Sequence, residues 1–136
     1  MTRRTAFLLA SFALYGLSLV LPAVNGHAGI ECLVAGWFGF GSGVGFSWLA
    51  NLSLPAAWTC IGANAKSAGL VLCALTVVLM LSILANPFMM ASTSGATTRI
   101  TDFGPGYFVW ILSALAAGLS ALFSSIRRTG NPRRDA

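Results

Sequence analysis

The sequence predicts an all-α membrane protein, a bundle of four transmembrane helices with a short Gly-rich interfacial segment before the second span. Only 8% of the 136 residues are charged and 57% are hydrophobic, whereas about a quarter of the residues of a typical soluble domain are charged. Four apolar stretches are each long enough to cross the hydrocarbon core of a bilayer, which takes about 20 helical residues. Nearly all basic residues flank these stretches. Together these observations predict a single transmembrane domain over residues 1–126.

The first predicted span covers residues 6–24 and follows Arg3 and Arg4. Two arginines, an apolar run and small residues are also typical of a signal peptide, and residues 2–8 are similar to a twin-arginine signal. However, the apolar run is long, and Phe7 and Leu8 come one position later than the corresponding pair of such a signal. We therefore expect a membrane anchor that is not cleaved.

A Gly-rich stretch, residues 36–45, precedes the second span. It contains no GxGxxG spacing and has no strand–helix context, so it does not predict a nucleotide-binding loop. Residues 25–31 are predicted to be a short polar turn. Residues 30–40 are predicted to form a short helix at the outer membrane interface, and a flexible Gly turn follows it.

The second predicted span covers residues 46–63 and contains Pro55, which lacks a backbone donor and predicts a kink. A tight turn with Lys66 leads to the third span, residues 68–85. Residues 88–106 are predicted to be the longest loop. Pro105 suits the first turn of the fourth span, residues 107–126, and a basic cytoplasmic tail, residues 127–136, follows.

The distribution of basic residues predicts the orientation. Four spans place one basic residue, Arg99, on one side of the membrane and seven on the other. The positive-inside rule assigns the seven to the cytoplasm, so we expect a multi-pass protein of the bacterial inner membrane with both termini cytoplasmic. The sequence lacks a basic stripe with interleaved exposed aromatic residues, which is the pattern typical of nucleic-acid binding. No nucleic-acid partner is therefore predicted. The seven are Arg3, Arg4, Lys66, Arg127, Arg128, Arg133 and Arg134.

No Asp, Glu, Lys, Arg or His falls within a predicted span, although proton-coupled pumps and exchangers need ionisable groups at membrane depth. The candidate outer-face polar cluster consists of His27 and Glu31 in the first outer loop and Arg99 and Asp102 in the second. A His–carboxylate pair could bind a metal or move a proton. One histidine and two carboxylates are few ligands for a metal, so we favour four solvated loop residues. The sequence therefore predicts no catalytic residue, metal or cofactor.

Small residues recur at helical spacing on two predicted helices. This pattern lets helix backbones approach closely in a membrane. We expect the two faces to pack against each other within one protomer. The alternative is a surface for a partner protein or a second copy. The candidate packing face of the last helix consists of Ser113, Ala117, Gly118 and Ala121, and the similar stripe of the first consists of Ala6, Ala10, Ala13 and Gly16.

Three short aromatic-rich segments carry a resemblance: GWFG at residues 36–39, SWLAN at residues 47–51 and GPGYFVWILS at residues 104–113. In these segments the chain resembles a group of uncharacterised small bacterial inner-membrane proteins with four spans. The resemblance implies the topology and no activity.

These patterns favour a non-enzymatic accessory or assembly subunit whose partners are the lipid bilayer and another protein or a second copy. One alternative is a small oligomeric channel or carrier for an uncharged or anionic solute, based on a polar seam of Ser47, Asn51 and Thr59 on the second span. A second alternative is an enzyme that uses the outer-face polar cluster. The three cysteines are expected to be free thiols, with Cys32 the most accessible.

Overall fold

The computed structural model describes residues 2–39, 45–90 and 96–126, and this part of the chain is mostly helical, as predicted. Two helices, Lys66–Ala85 and the Pro105–Phe123 part of the last helix, are long and apolar enough to cross a membrane. Within the described residues, four short strands form two antiparallel hairpins, β1–β2 and β3–β4. In chain order the elements are α1 (Arg3–Val20), β1 (Pro22–Val24), β2 (His27–Ala28), α2 (Gly29–Gly39), a 3₁₀ turn (Phe46–Leu49), α3 (Ala50–Gly62), α4 (Lys66–Ala85), β3 (Phe88–Met90), β4 (Thr97–Arg99) and α5 (Pro105–Ile126).

The four long helices form a bundle in which α1 packs along α5, and α4 packs against both α3 and α5. Hydroxyl groups tie α1 to α5 at two depths: Ser11 Oγ donates to the carbonyl of Ser113 at 2.7 Å, and Ser120 Oγ donates to the carbonyl of Arg4 at 2.9 Å. Because both bonds use backbone carbonyls, the two helices lie close together over most of their length.

Arg4 closes one end of the bundle, which we call the Arg4 end. Its guanidinium donates to Asn64 Oδ1 at 2.8 Å, to the carbonyl of Gly62 at 3.3 Å and to the carbonyl of Ile61. The carbonyls at the C-terminus of a helix carry partial negative charge and lack intrahelical donors. Arg4 therefore caps α3 and fixes the start of α1 against the α3–α4 turn.

The interior and the exterior of the bundle differ in residue size. Fully buried positions are dominated by Ala, Ser and Thr, with Leu54, Ile61 and Met80 as the large exceptions. Large apolar side chains on the exposed helix faces point away from the bundle, among them Phe12, Val71, Leu75, Val78, Leu112 and Leu115. Small interior residues let the helices approach closely, and large apolar residues cover the outside.

The structure corrects the predicted end of the first span. Helix α1 ends at Val20, and residues 21–24 continue as extended chain and strand β1. Pro22 explains this end, because a proline disfavours the helical conformation of the residue before it and Leu21 has ψ 150°.

Other boundaries also differ from the prediction. The predicted turn 25–31 contains β2 and the start of α2, and the predicted loop 88–106 contains β3 and β4. Residues 46–49, predicted as the start of the second span, form a 3₁₀ turn. Pro55 lies inside α3, as the predicted span places it. The predicted Gly turn at 40–44 and the tail at 127–136 lie outside the described residues.

Glycines allow α5 to begin against the end of α1. A Cβ on Gly104 would collide with the carbonyl of Pro22, and one on Gly106 would lie 2.7 Å from the carbonyl of Leu21. We predict that Gly104→Ala lowers the free energy of unfolding by about 1–3 kcal/mol, the usual cost of overpacking. Thermal unfolding of the purified protein in mild detergent measures the change.

The matched control is Gly16→Ala, because nothing lies within 4 Å of a Cβ at this position in α1. Alanine has the higher helix propensity, so this variant should be unchanged or more stable by up to about 1 kcal/mol. Equal effects of the two variants would contradict the close approach at Gly104.

Candidate functional site

Asn25 joins the two loops at the other end of the bundle, which we call the hairpin end. Its Oδ1 accepts hydrogen bonds from the amides of Thr101 at 2.9 Å and Asp102 at 3.1 Å, and from Thr101 Oγ1 at 3.3 Å. Its Nδ2 donates to the carbonyl of Arg99 at 3.1 Å. One side chain in the β1–β2 turn therefore holds the chain that links β4 to α5.

The backbone at Asn25 and Gly26 has φ of 49° and 80°. This left-handed conformation suits Asn and Gly and matches the twist of a two-residue hairpin. The Asn25 amide also donates to the carbonyl of Asp102 at 3.0 Å. The turn is thus shaped so that both the backbone and the side chain of Asn25 reach the second loop.

Apolar residues fill the space beneath the two hairpins. Ala23, Val24 and Ile100 are buried there. Partly buried side chains of α2, α4 and the second loop pack around them, namely Cys32, Ile83, Met89 and Phe103. The hairpins therefore form a packed cap on the helices.

The structure brings together two members of the predicted outer-face polar cluster. His27 Nδ1 and Glu31 Oε2 are 3.0 Å apart, with 56% and 61% of their side chains exposed. Arg99 and Asp102 are exposed too, and their side chains form no ion pair with any described residue. Asn25 contacts the backbones of these two residues.

No group of three or more His, Cys, Asp or Glu residues that could hold a metal is found among the described residues. The cluster is therefore an exposed pair and two exposed single residues at the hairpin end.

The candidate packing face of α5 lies inside the bundle. Ser113, Ala117 and Ala121 are buried, and a Cβ on Gly118 would lie 3.8 Å from Cys73 Cβ in α4. This face is therefore covered within the protomer.

The stripe predicted on α1 lies elsewhere. Ala10, Ala13 and Gly16 are exposed and Ala6 is half-buried, while the buried residues of α1 are Ser11 and Ser18. The expected pairing of the two stripes is therefore wrong for α1: its polar face, rather than its small-residue stripe, packs on α5.

Polar side chains inside the bundle pair with one another. Trp58 Nε1 donates to Ser11 Oγ at 2.8 Å, and Ser53 Oγ and Thr76 Oγ1 are 2.7 Å apart. Within the predicted polar seam, Asn51 Oδ1 accepts a bond from Tyr15 OH at 3.3 Å, and Thr59 is exposed and bonds to its own helix. The sequence did not predict the hydrogen bonds of Tyr15 and Trp58. Both are aromatic residues within apolar runs, and their polar partners lie on other helices.

A cavity of about 110 Å³ lies beneath the hairpin cap. Its walls come from the end of α1, from α2, from the 3₁₀ turn with the start of α3, and from the start of α5. The polar side chains of the described lining belong to Ser18, Cys32, Ser47, Trp48, Asn51, Tyr107 and Trp110, and none is charged. It is a mostly apolar cavity with hydrogen-bonding groups in its wall.

No model of a protein family matches this chain, and neither a curated protein nor a solved structure does.

Cys32 is a free, half-buried thiol on α2, next to Glu31. Burial raises its pKa, and the negative charge of Glu31 raises it further. Because only the thiolate reacts quickly with electrophiles, we predict that a polar maleimide labels Cys32 slowly at neutral pH and faster as the pH rises. Glu31→Gln removes the charge, lowers the pKa of Cys32 and should speed labelling at a fixed pH.

The experiment uses a Cys60→Ala, Cys73→Ala background so that only Cys32 reacts. The control is His27→Ala, which removes the partner of Glu31 but keeps its charge, and so keeps the pKa of Cys32 raised. An unchanged or slower rate in Glu31→Gln would show that the carboxylate does not act on this thiol.

Proposed function

We propose that this protein is a four-span protein of the bacterial inner membrane that acts without catalysis, as an accessory or assembly subunit. The observation that supports the membrane setting is the exterior of the bundle. Monomeric soluble proteins rarely expose contiguous apolar patches beyond a few hundred Å². Here large apolar side chains are exposed along α1, α4 and α5. Such an apolar surface is compatible with a lipid environment.

The lengths of α1 and α3 support two further spans. The 18 residues of α1 extend about 27 Å at 1.5 Å per residue, close to the roughly 30 Å hydrocarbon core. The 13 residues of α3 are too short alone. The 3₁₀ turn before it adds four residues at about 2.0 Å each, so the combined segment reaches roughly the same length.

The ends of the bundle support the orientation. Arg3, Arg4 and Lys66 lie at the Arg4 end, where four further arginines follow α5 in the sequence. The hairpin end carries one basic residue besides histidine among its described residues, Arg99. The positive-inside rule places the Arg4 end, and with it both termini, in the cytoplasm. In this orientation α2, with Trp37 and Phe38 exposed, lies at the outer interface.

The observation that carries the accessory function is the exposed small-residue stripe of α1. Ala10, Ala13 and Gly16 are exposed, and nothing lies within 4 Å of a Cβ at Gly16. Within a membrane such a stripe favours close approach of another helix. The equivalent face of α5 is already covered inside the protomer, so α1 provides the face that remains for a second protein.

Paired polar groups support association over conduction. Trp58 donates to Ser11, and Ser53 pairs with Thr76. Such hydrogen bonds between helices stabilise helix packing in membranes. Enzymatic use of the outer-face cluster has less support, because His27 and Glu31 are exposed and paired only with each other.

Purification from native membranes in mild detergent tests this function. The tagged protein should retain a second membrane protein or a second copy at fixed stoichiometry. Ala13→Leu adds bulk to the exposed stripe and should release that partner, while the protomer should stay folded because Ala13 is exposed.

The matched control is Ala74→Leu, the same substitution at an exposed position of α4. It should leave the complex intact. A wild-type protein that purifies alone would contradict the accessory function, and a partner that survives Ala13→Leu would remove α1 as its docking face.

A further inference from the structure

We propose that the cavity beneath the hairpin cap binds an uncharged amphiphile, a short apolar chain or ring that carries one hydrogen-bond acceptor. The site is separate from the α1 stripe and does not depend on the accessory function. The size of the cavity, the absence of charge from its described lining and the hydrogen-bonding groups of its wall support this proposal.

The wall excludes a charged ligand. None of the described lining residues is charged, and an ion moved into a low-dielectric site without a partner loses far more hydration free energy than it regains. Apolar residues such as Leu19, Leu33, Ile83 and Ile100 make up much of the lining. The ligand is therefore neutral and mostly apolar.

The volume limits its size. About 110 Å³ is somewhat less than the roughly 150 Å³ of an engineered apolar cavity that binds benzene, and far below the several hundred Å³ of a drug-sized pocket. The cavity therefore takes a small molecule or one segment of a longer lipid. A free small molecule and a lipid segment would both present an uncharged, mostly apolar group to the wall.

Three donors of the wall already have acceptors. Trp48 Nε1 donates to the carbonyl of Leu33 at 2.7 Å, Ser18 Oγ to that of Tyr15 at 2.7 Å, and Tyr107 OH to that of Met80 at 3.1 Å. These bonds fix the wall and leave little freedom in it.

Three donors are left over. Trp110 Nε1 is buried and has no hydrogen-bond partner among the described residues. Asn51 Nδ2 donates to no described residue, while its Oδ1 already accepts from Tyr15, and the hydroxyl of Ser47, which also lines the cavity, bonds to no described residue. A buried donor without an acceptor costs about 1–3 kcal/mol, and this cost applies to Trp110 Nε1. A ligand oxygen would remove this cost, which is why the ligand should carry an acceptor rather than only a donor.

A photoreactive alkanol, a four-carbon alcohol with a diazirine, tests the site on the full-length protein. Its adducts, mapped by mass spectrometry, should be saturable and lie on α2, on the 3₁₀ turn and at the start of α5. Competition by 1-butanol should be strong and competition by n-pentane, which has the same number of non-hydrogen atoms, weak. Adducts only on exposed helix faces, or equal competition by both compounds, would overturn the proposal.

Two variants and one control test the cavity and the Trp110 donor separately. Ala35→Phe fills the cavity and should abolish saturable labelling, whereas Ala74→Phe, on the exposed face of α4, should leave it unchanged. Trp110→Phe keeps an aromatic side chain but removes the donor, so half-competition should need roughly three- to tenfold more 1-butanol, the worth of one hydrogen bond. Labelling that persists in Ala35→Phe would refute the cavity, and an unchanged requirement in Trp110→Phe would refute the acceptor.

Native mass spectrometry separates the two sources of the ligand. One lipid retained per wild-type protomer and lost in Ala35→Phe would identify a bilayer lipid. A lipid-free protomer that takes up one alkanol would identify a free small molecule. A protomer that retains no lipid and takes up no alkanol would refute binding.

Discussion

An apolar exterior around a bundle of small residues is the constraint on which the rest of the structure depends. In the proposed membrane setting, hydrocarbon offers no hydrogen-bonding partner, so polar groups along a spanning helix would have to be satisfied within the protein. The helices meet this requirement with hydroxyls that bond to backbone carbonyls, as Ser11 does to Ser113 and Ser120 to Arg4. Such bonds need close backbones, and close backbones need Ala, Ser and Gly at the contacts. The small interior and the polar pairing thus have one cause.

Different side chains hold the helix ends in place at the two ends of the bundle. At the Arg4 end a single guanidinium caps α3 and joins it to α1. At the hairpin end the helices are joined through strands. There the uncharged side chain of Asn25 joins the two loops, because its amide both accepts and donates hydrogen bonds. The close approach of Gly104 and Gly106 to the end of α1 then completes the cap. The cavity lies beneath this cap, where α2 and the 3₁₀ turn bridge the helices.

The helices could be predicted because long apolar runs bounded by Pro, Gly and Asn leave few other structures. The hairpins were missed for two reasons. Asn25-Gly26 is a strong hairpin signal, but the flanking strands are too short to show alternation. β3 pairs with β4 across residues 91–95 with no comparable signal in the sequence. The face of α1 was assigned wrongly because small residues and hydroxyls both occur on it, and spacing alone does not say which face meets α5. The positions of the outer-face residues and of the cavity relative to each other could not be predicted from the sequence, because both depend on how Asn25 joins the two loops.

The central claim is that four segments cross the membrane with the hairpin end outside the cytoplasm. Fusions of alkaline phosphatase, which becomes active only outside the cytoplasm, test it most directly when placed after Gly26, Lys66, Ala96 and Ala136. The account predicts high activity after Gly26 and Ala96 and none after Lys66 and Ala136, with a cytoplasmic reporter giving the opposite pattern. Equal activity after Gly26 and Lys66, or an active fusion after Ala136, would contradict four spans.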